Sequence, residues 1–338
     1  MKALVTGGGG FLGKAVVRQL VERGNDVQSF SRGNYPDLEK LGVAQNRGDL
    51  ANAKAISRAV SGCDIVFHVG AKAGYWGPYK EYYYANVIGT ENVINACKKH
   101  GVRRLVYTSS PSVVFGEQKM EGADESVPYP DPKRYMAPYP KTKAMAEQLV
   151  LKANSKELAT VSLRPHLIWG PGDNHLFPRI INKAKAGRLM FIGKGDNLID
   201  IVYIENAAKA HLLAADRLFP GSSISGNVFF ITNGEPRSMK EIINNIMEIS
   251  GLHEINRSVN PKIAYLAGWI LETIHKLLKL KKEPLVTRFI AEEFSKAHWF
   301  DISAARNELD YKPEEYSIDR GMHLLREHFN KSGELKKI

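Results

Sequence analysis

Two residues with complementary acid–base chemistry stand four positions apart near the middle of the chain. Tyr139 and Lys143 follow Pro138 at the start of a predicted helix, and residues four apart share one helix face. Proline suits a first helical turn, where its missing N–H would have no partner. An ammonium near a phenol stabilises the tyrosinate. We therefore expect Lys143 to lower the pKa of Tyr139 and make it a proton donor or acceptor near neutrality.

A hydroxyl-rich segment is a second source of polar chemistry. Thr108, Ser109, Ser110 and Ser112 stand at the end of a strand predicted over 103–108. Ligands of open α/β sheets bind outside the carboxyl ends of the strands. These hydroxyls are therefore predicted to face the same site as Tyr139.

A glycine-rich loop lies near the amino terminus. The letters TGGGGFLG, residues 6–13, connect the first predicted strand to the first predicted helix. Glycines allow a tight turn and a close approach to a pyrophosphate, and the helix start offers free N–H groups to phosphate. In this strand–turn–helix context the loop predicts dinucleotide binding.

The residues that distinguish NAD from NADP are expected at the end of the second predicted strand. Binders of NAD place an acid there for the ribose 2′-hydroxyl, whereas this sequence has Ser29-Phe30-Ser31-Arg32. Arg32 can pair with a 2′-phosphate that a carboxylate would repel. We therefore predict NADP(H) in preference to NAD(H), with Ser31 and Arg32 at the cofactor.

The elements that position these residues alternate in the order of a parallel sheet covered on both faces. A polar, proline-bearing segment after Gly116 and up to Pro140 is predicted to be a functional loop. The segment 261–296 reads as mostly helical. Predicted strands cover 2–6, 26–30, 43–46, 64–69, 103–108, 160–164, 199–204 and 228–231, and predicted helices cover 11–23, 52–60, 82–100, 139–153, 205–218 and 238–249.

This pattern predicts an α/β protein with a Rossmann-type, doubly wound parallel sheet and a smaller, mostly helical C-terminal substrate domain. We place the NADP(H)-binding domain at 1–170, with 199–230 returning to it in part, and the substrate-binding domain at 171–338. The length of 338 residues is ample for such a core, and the composition excludes a disordered or coiled-coil chain.

Charge and cysteine content limit which binding partners and which cellular compartment we expect. The net charge of +11 is spread along the chain rather than concentrated in one block, so no nucleic-acid partner is expected. Two cysteines, Cys63 and Cys97, fit a reducing, cytoplasmic setting. Asp173 and His175 do not have metal-ligand spacing with any other residue, so no metal is predicted.

Together these segments resemble an extended short-chain dehydrogenase/reductase over nearly the whole chain. Within that group the sequence is similar to the 3β-hydroxysteroid and sterol dehydrogenase branch. The segments 71–77 and 167–175 resemble bacterial reductases that act on 2-alkyl-3-oxoalkanoates in olefin biosynthesis. The resemblance rests on the Gly7/Gly10/Gly13 loop, Gly48-Asp49-Leu50, 67–71, 86–90, Thr108-Ser109-Ser110, Tyr139/Lys143, Leu163-Arg164-Pro165 and 203–208.

The resemblance implies a role for each matching residue. Tyr139 would give its proton to a ketone oxygen, Lys143 would hold the nicotinamide ribose, and Ser110 would bind the substrate oxygen, with Ser109 and Ser112 as alternatives. Residues implied at the cofactor are Gly7, Gly10, Phe11, Leu12, Gly13, Asp49, Leu50, Val69, Gly70, Ala71, Pro165 and Ile168. Trp76, in a glycine-flanked loop, and Ser112 and His166 are assigned to the substrate.

The activity that follows is NADPH-dependent reduction of a long-chain 2-alkyl-3-oxoalkanoate to the 3-hydroxy acid. The alternatives are an NAD-dependent 3β-hydroxysteroid or sterol dehydrogenase, a nucleotide-sugar epimerase or dehydratase, and a non-catalytic NADP-binding protein. We expect a small hydrophobic substrate and a homodimer. The basic, apolar segment 261–282 could contact a membrane surface, cap the substrate, dock a partner protein or pack on the small domain.

Overall fold

The computed structural model describes residues 1–116, 120–174, 176–280 and 282–333. His175 and Lys281, which the sequence singled out, lie outside the described residues. The strands are β1 (Lys2–Thr6), β2 (Asp26–Ser31), β3 (Ala44–Arg47), β4 (Ile65–His68), β5 (Arg104–Thr108), β6 (Met120–Ala123), β7 (Ala159–Pro165), β8 (Ile168–Trp169), β9 (Phe191–Ile192), β10 (Leu198–Ile199), β11 (Val202–Tyr203), β12 (Val228–Ile231), β13 (Arg237–Ser238), β14 (Ser258–Val259) and β15 (His298–Phe300).

The helices surround these strands, and a π-helical turn at Tyr83–Ile88 joins the fourth helix to the fifth. They are α1 (Phe11–Glu22), α2 (Pro36–Lys40), α3 (Ala53–Val60), α4 (Tyr79–Tyr82), α5 (Gly89–His100), α6 (Pro138–Ala153), α7 (Leu176–Lys185), α8 (Ile204–Arg217), α9 (Met239–Ile249), α10 (Pro261–Leu277), α11 (Arg288–Ser295), α12 (Ser303–Leu309) and α13 (Ile318–Ser332).

Seven strands form one parallel sheet in the order β3-β2-β1-β4-β5-β7-β12. Helices α1 and α8 pack on one face, and α3, α5 and α6 pack on the other. The strand order reverses between β1 and β4, which is where ligands of such sheets bind. The predicted Rossmann-type, doubly wound sheet is confirmed, and its last strand comes from residues 228–231.

The smaller part of the molecule is built around a second sheet with the order β13-β10-β15-β6. Two short parallel pairs, β8 with β11 and β9 with β14, complete the strands. Residues of α7, α9, α10 and α11 line one cavity together with residues that follow the strands of the large sheet. This arrangement leaves a cavity between the large sheet and the C-terminal helices.

The segment predicted as a functional loop between Gly116 and Pro140 contacts α6 and the turn after β5. It contains strand β6, and residues 117–119 lie outside the described part of the chain. The Tyr129 hydroxyl donates to Glu147 Oε1 at 2.6 Å, and the Tyr135 hydroxyl donates to the Val113 carbonyl at 2.5 Å. Long-range pairing of β6 with β15 explains why the local sequence reads as a loop.

The strand predicted over 199–204 is wrong as a single element. Strands β10 and β11 are separated at Asp200, whose carboxylate turns into the core. Its Oδ2 accepts from the Phe300 N–H at 2.8 Å and its Oδ1 lies 2.6 Å from His166 Nδ1. These two contacts draw the backbone out of a continuous strand.

A buried ion pair attaches α6 to β7. Arg164 Nη2 lies 2.6 Å from Glu147 Oε1, and their side chains are 3% and 0% exposed. Ser162 donates to Glu147 Oε2 at 2.8 Å. Burial alone would raise the pKa of Glu147, but the charge and hydrogen bonds of Arg164 outweigh it and lower that pKa. The carboxylate therefore stays charged on the buried side of α6.

Candidate active site

The glycine loop passes so close to the loop after β4 that side chains are excluded. A Cβ at Gly7, which has φ +70°, would lie 2.6 Å from the Gly70 Cα. A Cβ at Gly13 would lie 2.1 Å from the Gly7 carbonyl oxygen. The first N–H groups of α1 have no partner within the helix and are free for an anion. The backbone therefore provides the surface that a pyrophosphate needs.

This loop forms one end of a cavity of about 1410 Å³. A space of this size and its glycine-walled end fit a dinucleotide together with a second ligand. The cavity brings together nearly all the site residues expected from the sequence. These are Gly7, Gly10, Phe11, Leu12, Gly13, Ser31, Arg32, Asp49, Leu50, Val69, Gly70, Ala71, Ser110, Ser112, Tyr139, Lys143, Pro165, His166 and Ile168.

The end of β2 lies against the glycine loop. The Gly9 N–H donates to Ser31 Oγ at 3.2 Å, and the exposed Arg32 lines the cavity next to it. Tyr35, which the sequence reading missed, lies so close to the loop that a Cβ at Gly9 would be 2.0 Å from its ring. The ring of Tyr35 is therefore a further wall of this end of the cavity.

The catalytic pair sits in the first turn and a half of α6. Ala137 is the N-cap and Pro138 the first helical residue, one position before the predicted start at Tyr139. Lys143 is buried, and its Nζ donates to the Thr108 carbonyl at 2.5 Å and lies 4.2 Å from the Tyr107 ring centroid. The helix thereby holds both side chains at the carboxyl end of β5.

Burial, not the nearby ammonium, controls the acidity of Tyr139. It raises the pKa of Tyr139 to about 12, and a hydrogen bond with Ser110 only partly offsets that. Burial also lowers the pKa of Lys143 to about 7, against the charge of Glu147. The prediction that Lys143 brings the pKa of Tyr139 near neutrality is wrong for this arrangement. At neutral pH the Tyr139 phenol keeps its proton.

The structure favours Ser110 among the three candidate serines. Ser110 is near enough to Tyr139 to lower the pKa of the phenol, and its Oγ lies 2.9 Å from Ser112 Oγ. Ser109 is buried, and its N–H donates to the Leu163 carbonyl at 2.6 Å. Ser110 and Ser112 therefore present adjacent hydroxyls to the space beside Tyr139.

Asn86 links the loop after β4 to helix α6, a contact that the sequence analysis did not predict. Its Oδ1 accepts from the Lys72 N–H at 2.7 Å, and its Nδ2 donates to the Lys72 carbonyl and to Thr142 Oγ1. It lies in the π-helical turn, a feature common at functional sites. The only available signal was the motif 86–90 in the family resemblance.

Trp76 is the one predicted site residue that does not line the cavity. Its ring meets His275 edge-on with centroids 5.9 Å apart, and its Nε1 donates to the Leu280 carbonyl at 3.4 Å. The neighbouring Tyr75 lines the cavity instead and stacks on Phe289 with centroids 4.7 Å apart. Tyr75 rather than Trp76 is therefore part of the cavity wall.

His166 lines the cavity where Pro165 and Ile168 do, whereas His68 has a structural role. Both ring nitrogens of His68 are hydrogen-bonded, to Thr6 at 2.7 Å and Thr90 at 2.9 Å. Burial lowers the pKa of His68 to about 3, so it stays neutral. Because Thr6 also accepts from the Gly70 N–H, His68 helps to fix the cofactor loop.

Comparisons with known proteins agree with this geometry. The chain is 51% identical over 329 residues to a 2-alkyl-3-oxoalkanoate reductase of Stenotrophomonas maltophilia, covering 96% of this chain and 98% of the relative. It is 45% identical over 332 residues to the enzyme of the same name from Shewanella oneidensis, covering 96% and 85%. The solved structure of MoeE5 in complex with UDP-glucose and NAD has the same fold, with a TM-score of 0.76, 24% identity and coverage of 98% and 99%.

The fold and the Tyr139/Lys143 pair, with these relatives, define an NAD(P)-dependent oxidoreductase of the short-chain dehydrogenase/reductase type. A model of the 3-beta hydroxysteroid dehydrogenase/isomerase family matches residues 4–261. The chain belongs to this family.

The buried ammonium of Lys143 makes a testable contribution to stability. Because burial lowers its pKa from 10.5 to about 7, the charged form opposes folding. Below about pH 7 the buried charge lowers the free energy of unfolding by its full amount. As pH rises this effect declines, and it is gone above the pKa that Lys143 has in the unfolded chain. We expect Lys143→Met to be most stabilised relative to the parent below about pH 7 and to lose that advantage by about pH 10. Urea unfolding across this range measures the difference.

Lys152→Met, on the exposed side of the same helix, is the matched control and should show no such trend. A difference between Lys143→Met and parent that stays constant from acid to alkaline pH would contradict a buried ammonium here.

Proposed function

We propose that the protein is an NADPH-dependent ketoreductase that converts a long-chain 2-alkyl-3-oxoalkanoate to the 3-hydroxy acid. The observation that carries this proposal is the position of the Tyr139 phenol, which lines the same cavity as the adjacent Ser110 and Ser112 hydroxyls. The names and high identities of the two bacterial reductases support the substrate class.

The chain's own residues bind the ketone oxygen and supply its proton. Ser110 hydrogen-bonds the ketone oxygen, and Tyr139 donates its proton to that oxygen as the carbonyl carbon gains a hydride. A nicotinamide cofactor supplies that hydride when bound. Lys143 lies next to Tyr139 on α6 and holds the ribose. The products are the alcohol and a tyrosinate that solvent reprotonates.

The walls of the cavity support an alkyl substrate. Apolar side chains from the C-terminal part line its far end, among them Ile180, Leu189, Ile243, Ala267, Val286 and Phe294. Such a surface suits hydrocarbon. Arg179, Lys183 and Arg188 line the same cavity and could pair with an anionic group of the substrate.

The chief alternative is an NAD-dependent 3β-hydroxysteroid or sterol dehydrogenase, as the family name suggests. Reduction needs Tyr139 as an acid and oxidation needs it as a base, so this side chain can serve either direction. The names of the two bacterial reductases, at 51% and 45% identity, favour reduction.

Removing the proton donor tests the catalytic proposal. We expect Tyr139→Phe to lower kcat for NADPH-dependent reduction of a 2-alkyl-3-oxo acid by roughly 10²–10⁴-fold, as loss of a general acid does. Binding of NADPH, followed by its fluorescence, should be nearly unchanged. Tyr316→Phe removes a phenol outside the cavity and should leave kcat unaltered. A Tyr139→Phe enzyme as fast as the parent would overturn the assignment.

Arg32 supports our proposal that NADP(H) is preferred. No acid follows β2, and the guanidinium lines the cavity where a 2′-phosphate would require a cation. We expect Arg32→Ala to lower kcat/KM for NADPH by about 10–100-fold, the worth of a hydrogen bond to a charged group, while sparing NADH. Arg58→Ala, on α3, is the control. A parent that uses NADH as well as NADPH would refute the preference.

We further propose that the apolar face of α10 docks on a bilayer containing anionic lipid. We define this face as Ile263, Leu266, Trp269, Ile270, Ile274 and Leu277. Its side chains are unusually open for their type, with Ile263 61% exposed and Leu277 76% exposed. None of the helices in the described ranges is long and apolar enough to span a membrane.

The surroundings of this face identify its occupant. Exposed Lys262, Lys276, Lys279 and Lys282 border it, and the acid of the same helix, Glu272, is buried against Arg288 at 2.8 Å. A basic border around apolar residues is complementary to anionic headgroups. Ile263 also lines the cavity. A lipid-like substrate could therefore enter from the bilayer beside α10.

Vesicle sedimentation tests this docking surface. We expect the parent to sediment with phosphatidylcholine vesicles that contain phosphatidylserine, less so at high salt, and the double variant Ile270→Glu/Leu277→Glu to remain in the supernatant. Phe219→Glu, at an equally exposed apolar residue elsewhere, is the control. The proposal fails if the parent does not sediment with vesicles and is instead a dimer that the double substitution dissociates. In that case a second copy of the chain covers this face.

A further inference from the structure

Three buried polar side chains from distant parts of the chain meet beside the catalytic tyrosine. His166 follows β7, Glu293 lies in α11, and His298 begins β15. One potential ligand atom of each lies within 4.8 Å of the other two. His166 and Glu293 also line the cavity that contains Tyr139. The sequence analysis predicted no metal because Asp173 and His175 lack metal-ligand spacing. It could not find this cluster, because only the fold brings its three residues together.

Each of these side chains has a buried polar atom without a hydrogen-bond partner. The atoms are His166 Nε2, His298 Nε2 and Glu293 Oε2. Buried polar atoms in folded proteins are nearly always paired. Three such atoms in one cluster therefore indicate a missing common partner.

The opposite ring nitrogens show what that partner must be. His298 Nδ1 lies 3.0 Å from the Lys296 carbonyl, and His166 Nδ1 lies 2.6 Å from Asp200 Oδ1. Carbonyl and carboxylate oxygens only accept, so each Nδ1 carries a hydrogen. In a neutral imidazole the Nε2 atom then presents a lone pair. Two nitrogen lone pairs and a carboxylate oxygen thus face one another with no donor between them.

We propose that His166, Glu293 and His298 bind a divalent first-row transition metal ion, with zinc the best match. Two imidazoles and one carboxylate are a known zinc ligand set. Asp200 supplies the outer carboxylate that orients a metal-binding histidine and raises its basicity. The fourth coordination position would face the cavity, because His166 and Glu293 are part of its wall.

The three unpartnered atoms lie close enough for one ion to contact all of them. A competing occupant is a water molecule held by protonated Glu293. This inference is independent of the proposed substrate and cofactor.

Metal titration of the full chain tests the proposal. Protein freed of metal with a chelator is titrated with Co²⁺, whose visible absorption reports nitrogen and oxygen ligation, and then with Zn²⁺ by calorimetry. We expect one ion per chain, a rise in Tm on adding Zn²⁺, and displacement of Co²⁺ by Zn²⁺. Asp200→Asn should weaken binding by about 10–100-fold, as loss of an outer carboxylate does.

Glu293→Gln and His298→Gln should each abolish the cobalt absorption and the zinc-dependent rise in Tm. His323→Gln, at an exposed histidine, is the matched control and should bind as the parent does. Circular dichroism verifies folding, and either cluster variant suffices if the other does not fold. A parent that binds no stoichiometric metal, or cluster variants that bind as well as the parent, would overturn the site and leave water as its occupant.

Discussion

The buried ion pair between Arg164 and Glu147 is the interaction on which the active site depends. It joins the catalytic helix to β7, and the Arg164 guanidinium also lies 5.2 Å from the Phe230 ring in β12. Removing one partner of such a pair leaves an uncompensated charge, at a cost of about 3–5 kcal/mol. Tyr129 brings the segment before α6 to the same carboxylate. One charge pair therefore sets the position of the helix that carries Tyr139 and Lys143.

Burial around that helix then decides the chemistry. The same desolvation that keeps the Tyr139 phenol protonated weakens the hold of Lys143 on its own proton, with its pKa at about 7. A protonated phenol beside the Ser110 hydroxyl is an acid ready for a developing alkoxide. The protonation of both side chains thus depends on burial as well as on their spacing along α6.

The sequence predicted the parts of the molecule whose signals are local. The glycine loop, the Tyr139/Lys143 helix and the strand-end serines are short motifs, and the structure brings them to one cavity as the strand ends of a parallel sheet require. The acidity of Tyr139 was misjudged because spacing reveals a nearby charge but not desolvation. Likewise, Trp76 and its neighbour Tyr75 cannot be distinguished from a loop sequence alone.

Residues that depend on tertiary packing could not be predicted at all. Strand β6 is stabilised by pairing with β15, far along the chain, and the meeting of His166 with Glu293 depends on where α11 packs. Domain boundaries also remain a prediction, because β12 returns to the first sheet after much of the smaller part has been traversed. Local periodicity carries no information about such contacts.

The most direct measurement is the oxidation of NADPH by the purified protein with matched substrates: a long-chain 2-alkyl-3-oxo acid, a 3-ketosteroid and an oxidised nucleotide sugar. Reduction by Tyr139 in an apolar cavity predicts that kcat/KM is highest for the oxo acid and that its product is the 3-hydroxy acid. Turnover confined to the steroid or to the nucleotide sugar would contradict the proposed function.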